Sequence, residues 1–403
     1  MLRICVIQTG RQSHLCTPVR RFSQAGTRWA PLVSQAVMFK DYGKPSEVLS
    51  VVSRPIEPLT PSTVHVRILA APVNPSDINQ IEGVYPAKPT FDPKWGAVAG
   101  NEGVAQIVAL GEAVQRTSDL EVGDWVLPLN RAFGTWQTYA SVEASDLAKI
   151  PHDQVPLLGA ASLTVNPSTA YRMLRDFVDL NPGRYIPVTT TPLTRDYVIQ
   201  SGANSGVGQA VIQLCRCWGF KSINIIRDRP TAADTMAQLK ALGADYVFTD
   251  EQLRTIETRN QLKSLDGPIA LGLDCVGGRT TMELGRNLSS SASLVVYGGM
   301  SKRPMSLPVS LFIFRNLAVQ GYWMNHWYRT HSLADRMPMW TDLLKLMQLG
   351  QLRPAAFEPL LWVPSGDRMD AVQQLRTVIE AIQASSAGFA GKKHALVMDP
   401  SLL

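Results

Sequence analysis

Three short stretches of this 403-residue chain carry residue types that could do chemistry. The first is Ser201-Gly202-Ala203-Asn204-Ser205-Gly206-Val207-Gly208, which joins a β-rich run to a helix-forming run. Small side chains let backbone N–H groups approach a pyrophosphate, and the helix N-terminus adds partial positive charge. The spacing is Ala-x-x-Gly-x-Gly rather than Gly-x-Gly-x-x-Gly, so alone it reads equally as a tight strand-to-helix turn. The second stretch is Arg227-Asp228-Arg229, which ends the next β-rich run. A carboxylate near this point suits the ribose 2′-OH of NAD, and guanidiniums suit a 2′-phosphate. Asp228 pulls toward the first reading and a solvated strand end would explain all three, but the flanking Arg pair favours NADPH. The third is Tyr85, between Gly83 and Pro86. A phenol can donate a proton, although a Tyr in this setting is ordinarily a loop residue.

Metal and disulfide chemistry have less support. Cys5, Cys16, Cys215, Cys217 and Cys275 offer neither a disulfide framework nor a Cys-x-x-Cys pair. Cys215 and Cys217 read most simply as core residues of a helix. His152, His326 and His331 lack the spacing of metal ligands. A reducing compartment fits this usage.

These residues need elements to hold them. At 403 residues the chain is too long for one ordinary core, and two domains are expected. Up to about residue 142, short β segments at 63–69, 103–110 and 125–129 are cut by Asn74-Pro75, Gly111-Glu112 and Gly123-Asp124. This is the pattern of a compact, mostly antiparallel domain. From residue 197, β and helical runs alternate: strands at 197–200, 222–226, 246–248, 270–275 and 294–297, and helices at 206–218 and 231–242, the latter stopped by Gly243. That alternation implies a doubly wound parallel sheet and makes the 201–208 loop a nucleotide loop. After residue 331, helices at 340–349 and 369–382 and a β run at 394–398 are expected to return to the first domain. Thr189-Thr190-Thr191-Pro192 reads as a surface insertion.

Charge is unevenly spread. Arg3, Arg11, Arg20, Arg21 and Arg28 precede the first acid, Asp41, and Thr9, Ser13, Thr17 and Ser23 are interspersed. This is the signature of a mitochondrial transit peptide, placed at 1–30, although a plain basic tail would share it. Without those five Arg the net charge of +6 becomes about +1, so the basicity gives no ground for nucleic-acid binding. No apolar run reaches the roughly 18 residues of a membrane span.

Several segments together resemble one family: Asn74-Pro75-Ser76-Asp77-Ile78-Asn79, Gly83-Val84-Tyr85-Pro86, Leu163-Thr164-Val165-Asn166-Pro167, Gly206-Val207-Gly208-Gln209, Arg227-Asp228-Arg229-Pro230 and Tyr297-Gly298-Gly299-Met300. The chain is similar to the mitochondrial trans-2-enoyl-thioester reductases of the zinc-free medium-chain dehydrogenase/reductase superfamily, over nearly everything after residue 35. The resemblance implies an α/β protein. A GroES-like mostly-β catalytic domain (31–165, completed by 335–403) would stand beside a Rossmann-type doubly wound domain (166–334). It implies NADPH-dependent reduction of enoyl thioesters of CoA or acyl carrier protein, in the mitochondrial matrix, by a homodimer. It assigns Tyr85 as the acid. It assigns Asn166, Asn204, Ser205, Gly206, Val207, Arg227, Asp228, Arg229, Tyr297, Gly298, Gly299, Met300, Tyr322, Trp323, Met324 and Lys393 to the cofactor. Zinc-dependent relatives carry a Cys within the segment that is Asn74–Asp77 here and a His before Glu102. This chain has Asn101 there, so zinc-alkoxide chemistry is not expected. Tyr322, Trp323, Trp327, Phe312 and Phe314 could line an acyl pocket, but read more readily as core or dimer interface. A zinc-free quinone oxidoreductase of the same superfamily is the alternative, and it would not need Tyr85.

Overall fold

The computed structural model describes residues 32–130, 132–183, 195–362, 368–386 and 393–403. The Arg-rich stretch 1–30 and the Thr-Pro insertion lie outside the described residues. Alternating apolar and polar residues, cut by turn formers, fold the first part of the chain into antiparallel strands. Six strands neighbour one another in the order Phe357–Leu361, Lys393–Val397, Thr63–Pro72, Val104–Leu110, Trp125–Pro128, Leu147–Ile150. A seventh, Tyr139–Glu143, pairs with residues 63–67. A smaller sheet of Ser50–Pro55, Val33–Phe39 and Ala97–Val98 packs with it. Trp136 stitches the two sheets together. Its backbone bonds Val37 and Ala99 at 2.9 and 2.8 Å, its indole N–H reaches the Pro72 carbonyl at 3.3 Å, and its side chain is fully buried.

After residue 197 the hydrophobic period changes and so does the architecture. Six strands form a parallel sheet in the spatial order Tyr246–Thr249, Lys221–Ile226, Tyr197–Ser201, Ile269–Asp274, Ser293–Val296, Ala318–Gly321. Counted along the chain this order is 3-2-1-4-5-6, that of two mononucleotide-binding halves back to back. Tyr197–Ser201 is buried along its whole length, as a strand covered by helices on both faces must be. The molecule is thus the expected mostly-β, GroES-like unit joined to a Rossmann-type doubly wound sheet.

The chain then runs back. Lys393–Val397 pairs antiparallel with residues 70–72. The helix expected to start at residue 340 instead spans Leu333–Gln348. Ser332 and Asp335 cap it reciprocally, which fixes its start one turn before Pro338. The later helix spans Arg368–Ser386, longer at both ends than expected. No helix among the described residues is long and apolar enough to cross a membrane.

Because Trp136 fills the seam between the sheets, Trp136→Ala should cost about 3–5 kcal/mol of unfolding free energy. Chemical denaturation of the purified protein measures this. A loss below about 1 kcal/mol would mean the seam closes over the cavity.

Candidate active site

The nucleotide loop is built as its sequence requires. Strand Tyr197–Ser201 ends in Gly202, and helix Gly206–Trp218 begins four residues later. Ser205 caps that helix by accepting the Gly208 N–H at 3.1 Å. A Cβ at Gly208 would come within 2.5 Å of the Ala203 carbonyl, so only glycine lets the helix pack this tightly on the loop. A Cβ at Gly206 would meet the Asn166 side chain at 3.0 Å and the Lys393 ammonium at 3.3 Å. Asn166 and Lys393, from distant parts of the chain, therefore converge on the first turn of this helix.

The remaining family-implied cofactor residues lie just past the C-terminal ends of the parallel strands, where open α/β sheets take ligands. Arg227, Asp228 and Arg229 follow Lys221–Ile226, Tyr297 to Met300 follow Ser293–Val296, and Tyr322 to Met324 follow Ala318–Gly321. They are not equally placed. Asn204, Gly299 and Met300 are exposed, and a Cβ at Gly299 would face open space. Met324 is instead buried in the core.

Two features test whether these residues fit NADPH. Arg227 lies close enough to Arg229 to lower its pKa, a smaller effect than that of burial, so an anion between the two guanidiniums would relieve their repulsion. Tyr297 Oη is buried beside Cys275 and Ser205 without hydrogen-bond geometry to any described residue. Burial first, then Cys275, pushes this phenol well above its ordinary range, so it remains a neutral donor. The loop, the cation pair and an unmatched donor fit a phosphorylated dinucleotide.

Tyr85 belongs to the other unit. Helix Pro75–Ile81 ends just before it, and the Asn79 carbonyl accepts the N–H groups of Val84 and Tyr85 at 2.9 and 3.0 Å. Gly83 turns the chain at φ +76°, where a Cβ would strike the Tyr42 ring at 2.8 Å. Tyr85 Oη then accepts the Trp323 indole N–H at 2.9 Å, with the two rings edge to face at 6.0 Å. A phenol of the mostly-β unit thus meets the loop after the last strand of the nucleotide sheet.

Beneath these residues lies a buried polar cluster whose roles the sequence did not reveal. Asp77 accepts the Asn74 N–H at 2.7 Å, and the Asn101 N–H and amide at 2.9 and 2.6 Å. Glu102 accepts the Asn74 amide at 2.7 Å and the Thr164 hydroxyl at 3.2 Å. The Asn74 side-chain amide oxygen accepts the Lys393 ammonium at 2.6 Å. Burial pushes the Asp77 carboxyl up to about 7, against the bonds from Asn74 and Asn101. Burial lowers the Lys393 pKa, against the charges of Glu102 and Asp77. A further internal acid, Asp274, ends its strand by accepting from Ser201, Val276 and Thr281. The signal for Asp77 was readable: Asn-Pro-x-Asp is a helix start with an acid in its first turn. Nothing in the local pattern of Glu102 or Asp274 marks it as buried.

The aromatic residues separate by position. Trp327 is core, packed beneath the Arg172 guanidinium. Phe314 is 80% exposed and Phe312 is 42% exposed, so neither is core. Cys215 is buried, but Cys217, also expected in the core, is only half-buried because it faces the Gln351 carbonyl at the helix end. His331 stacks on Trp327, and its Nδ1 lies 2.8 Å from the Trp327 carbonyl. Among the described residues no three His, Cys, Asp or Glu are grouped as a metal ion would need.

The Arg pair sets a testable cofactor preference. Each charge-assisted phosphate contact is worth roughly 1.5–3 kcal/mol. Arg227→Ala with Arg229→Ala should therefore weaken NADPH by at least about 10- to 150-fold, the worth of one such contact, while leaving NADH nearly unchanged, in parallel fluorescence titrations. Equal losses for both would remove the 2′-phosphate from this position.

Known proteins match along both units. The chain matches the zinc-binding dehydrogenase family model over residues 206–338 and the alcohol dehydrogenase GroES-like domain over residues 60–152. It is 41% identical over 383 residues to the mitochondrial enoyl-acyl-carrier-protein reductase of Rattus norvegicus, covering 95% of this chain and 94% of that one. Its fold matches the structure of the Etr1p/NADP/crotonyl-CoA complex with a TM-score of 0.80 at 32% identity, over 91% of this chain and 100% of that one. It matches the mitochondrial 2-enoyl thioester reductase Etr1p/Etr2p heterodimer from Candida tropicalis with a TM-score of 0.79, at the same identity and coverage. Identity at this level across both units leaves one assignment: the chain belongs to the mitochondrial enoyl-thioester reductases, NADPH-dependent oxidoreductases of the medium-chain dehydrogenase/reductase superfamily.

Proposed function

We propose that Tyr85 delivers a proton to Cα of a trans-2-enoyl thioester whose Cβ receives the hydride that bound NADPH supplies. The observation that carries this reading is the 2.9 Å bond from Trp323 to Tyr85 Oη, which holds the phenol at the end of the nucleotide sheet. Saturating a conjugated thioester leaves electron density on Cα and on the thioester oxygen, and a positioned acid must resolve it. Tyr85 carries the proton, and the Trp323 N–H, already bonded to the same oxygen, stabilises the phenolate left behind. The backbone of Asn204, Ser205, Gly206 and Val207 would hold the pyrophosphate, and Arg227 and Arg229 the 2′-phosphate. Asn166, Asp228, Tyr297, Gly298, Gly299, Met300, Tyr322, Trp323, Met324 and Lys393 complete the cofactor surface. Exposed Met300 serves as a rim contact and buried Met324 acts through its backbone.

The enzyme works in mitochondrial fatty acid synthesis. We place it in the matrix, after removal of a transit peptide at 1–30, with a catalytic unit of 31–165 plus 335–403 and a nucleotide unit of 166–334. A homodimer is favoured by the outer strand Ala318–Gly321, which among the described residues has one neighbour in its sheet. Beside it, helix Val309–Arg315 exposes Val309, Ile313 and Phe314. An edge of this kind is ordinarily covered.

Tyr85→Phe should lower single-turnover NADPH oxidation with crotonyl-CoA by roughly 100- to 10,000-fold, the range for loss of a positioned acid. NADPH affinity should change little, because the nucleotide loop lies in the other unit. Turnover within about threefold of the parent would assign the proton to another group. The same assay with a benzoquinone in place of the thioester separates this reading from quinone reduction.

N-terminal sequencing of the protein purified from mitochondria should find a new start between about Phe22 and Ser34. Recovery of intact Met1 from the matrix enzyme would contradict cleavage.

A further inference from the structure

We infer that Asp77 and Glu102 are positioning residues that hold the Lys393 ammonium, through Asn74, at the first turn of the nucleotide helix. The inference rests on the cofactor reading above. The geometry is a closed chain of bonds. Glu102 takes the Asn74 amide N–H at 2.7 Å, which fixes the amide so that its oxygen faces Lys393 at 2.6 Å. Asp77 holds the Asn74 backbone at 2.7 Å and the Asn101 amide at 2.6 Å. Lys393 is then left beside Gly206 and Asn166.

A helix cap would explain Asp77 but not the rest. Glu102 is only 1% exposed, comes from a different segment, and caps no helix. Two buried carboxylates are expensive to keep unless a cation or several donors repay them. Here both act on one ammonium, that of Lys393, which arrives from the other end of the chain and bonds the Asn74 side chain between them and it. The charged groups acting on Lys393 are Glu102 and Asp77; Asn74 is its hydrogen-bond partner, the Phe357 ring lies 6.0 Å away, and His394 follows it in the strand. Burial alone would drive Lys393 toward its neutral form, in which it could not attract a phosphate. The two carboxylates oppose that loss and keep a charged donor beside a helix N-terminus.

The test is the pH dependence of NADPH affinity between pH 6 and 10, measured by fluorescence titration on Glu102→Gln, Asp77→Asn, Lys393→Arg and Lys393→Ala, each first checked for folding by a thermal melt. Glu102→Gln and Asp77→Asn should bind NADPH near normally at low pH and lose affinity at a lower pH than the parent. Each unit of fall in the Lys393 pKa costs up to about tenfold above it. A merely structural role would weaken binding equally at every pH. Lys393→Arg should abolish the alkaline loss, because a guanidinium keeps its proton. This arm stands even if the carboxylate variants fail to fold. Folded Glu102→Gln and Asp77→Asn that follow the parent's profile would overturn the inference, as would an alkaline loss that persists in Lys393→Arg. If Lys393→Ala binds NADPH as the parent does, the cofactor reading of Lys393 falls and takes the inference with it. Tyr85→Phe turnover tests the acid separately.

Discussion

The hydrogen bond between Trp323 and Tyr85 joins residues 238 positions apart at 2.9 Å, and the proton transfer proposed for Tyr85 depends on their staying that close. One such bond contributes only about 0.5–1.5 kcal/mol net, too little to hold two units in register. Burial does that instead. A single apolar cluster runs from Leu69, Val104, Leu127 and Ile150 in the antiparallel sheet, through Val211 on helix Gly206–Trp218, to Val198, Leu271 and Val295 in the parallel one. Helices Asn166–Asp176 and Leu333–Gln348 fill the space between, with Tyr171 bonding Asp342 and Trp340 bonding Tyr328. The Tyr328 hydroxyl in turn reaches the Thr164 carbonyl at 2.8 Å. The Trp323–Tyr85 bond is thus a consequence of close packing, which tolerates little displacement.

Each unit supplies what the other lacks. The parallel sheet gathers strand ends and a helix N-terminus, which suit phosphates but offer no positioned acid. The antiparallel unit places Tyr85, the proposed acid, just past the end of one short helix, Pro75–Ile81. The start of the same helix, through Asn74, touches Lys393. One element of seven residues therefore connects Lys393 with Tyr85. This is why the chain must return at Lys393–Val397: the strand that completes the first sheet also delivers the cation.

Local patterns made much of this legible. The strand–loop–helix at residues 197–218 and the change of period announced the parallel sheet, because each depends on neighbours in sequence. The Arg pair and Gly83-Val84-Tyr85-Pro86 were visible as residue types, though only the family resemblance gave Tyr85 a role. Long-range facts were not legible. The pairing of Tyr85 with Trp323 needs both units folded, and the burial of Glu102 depends on Asn74 and Thr164, far away in sequence. Helix Leu333–Gln348 was read short because its start rests on a cap at Ser332 and Asp335 rather than on apolar spacing. Sequence alone leaves Phe314 between core and dimer interface, because an apolar residue on an outer helix looks the same in sequence as one turned inward; its 80% exposure removes the core reading.

The cations at the two ends of the nucleotide site differ in physical character. Arg227 is exposed and Arg229 half-buried, so their attraction for a 2′-phosphate is felt through water and screened over about 8–10 Å at ordinary ionic strength. Such a contact is cheap to build, and its worth depends on whether the phosphate is present, which makes it a device for choosing between cofactors. Lys393 sits against buried carboxylates, where screening is weak and every unpaired charge is costly. In the proposed cofactor site its attraction would fall on the part of the dinucleotide common to both cofactors, so it would anchor without discriminating. Choice is placed at the wet rim and anchorage in the dry interior. Salt should therefore erode the preference for NADPH sooner than it erodes the binding of the dinucleotide itself.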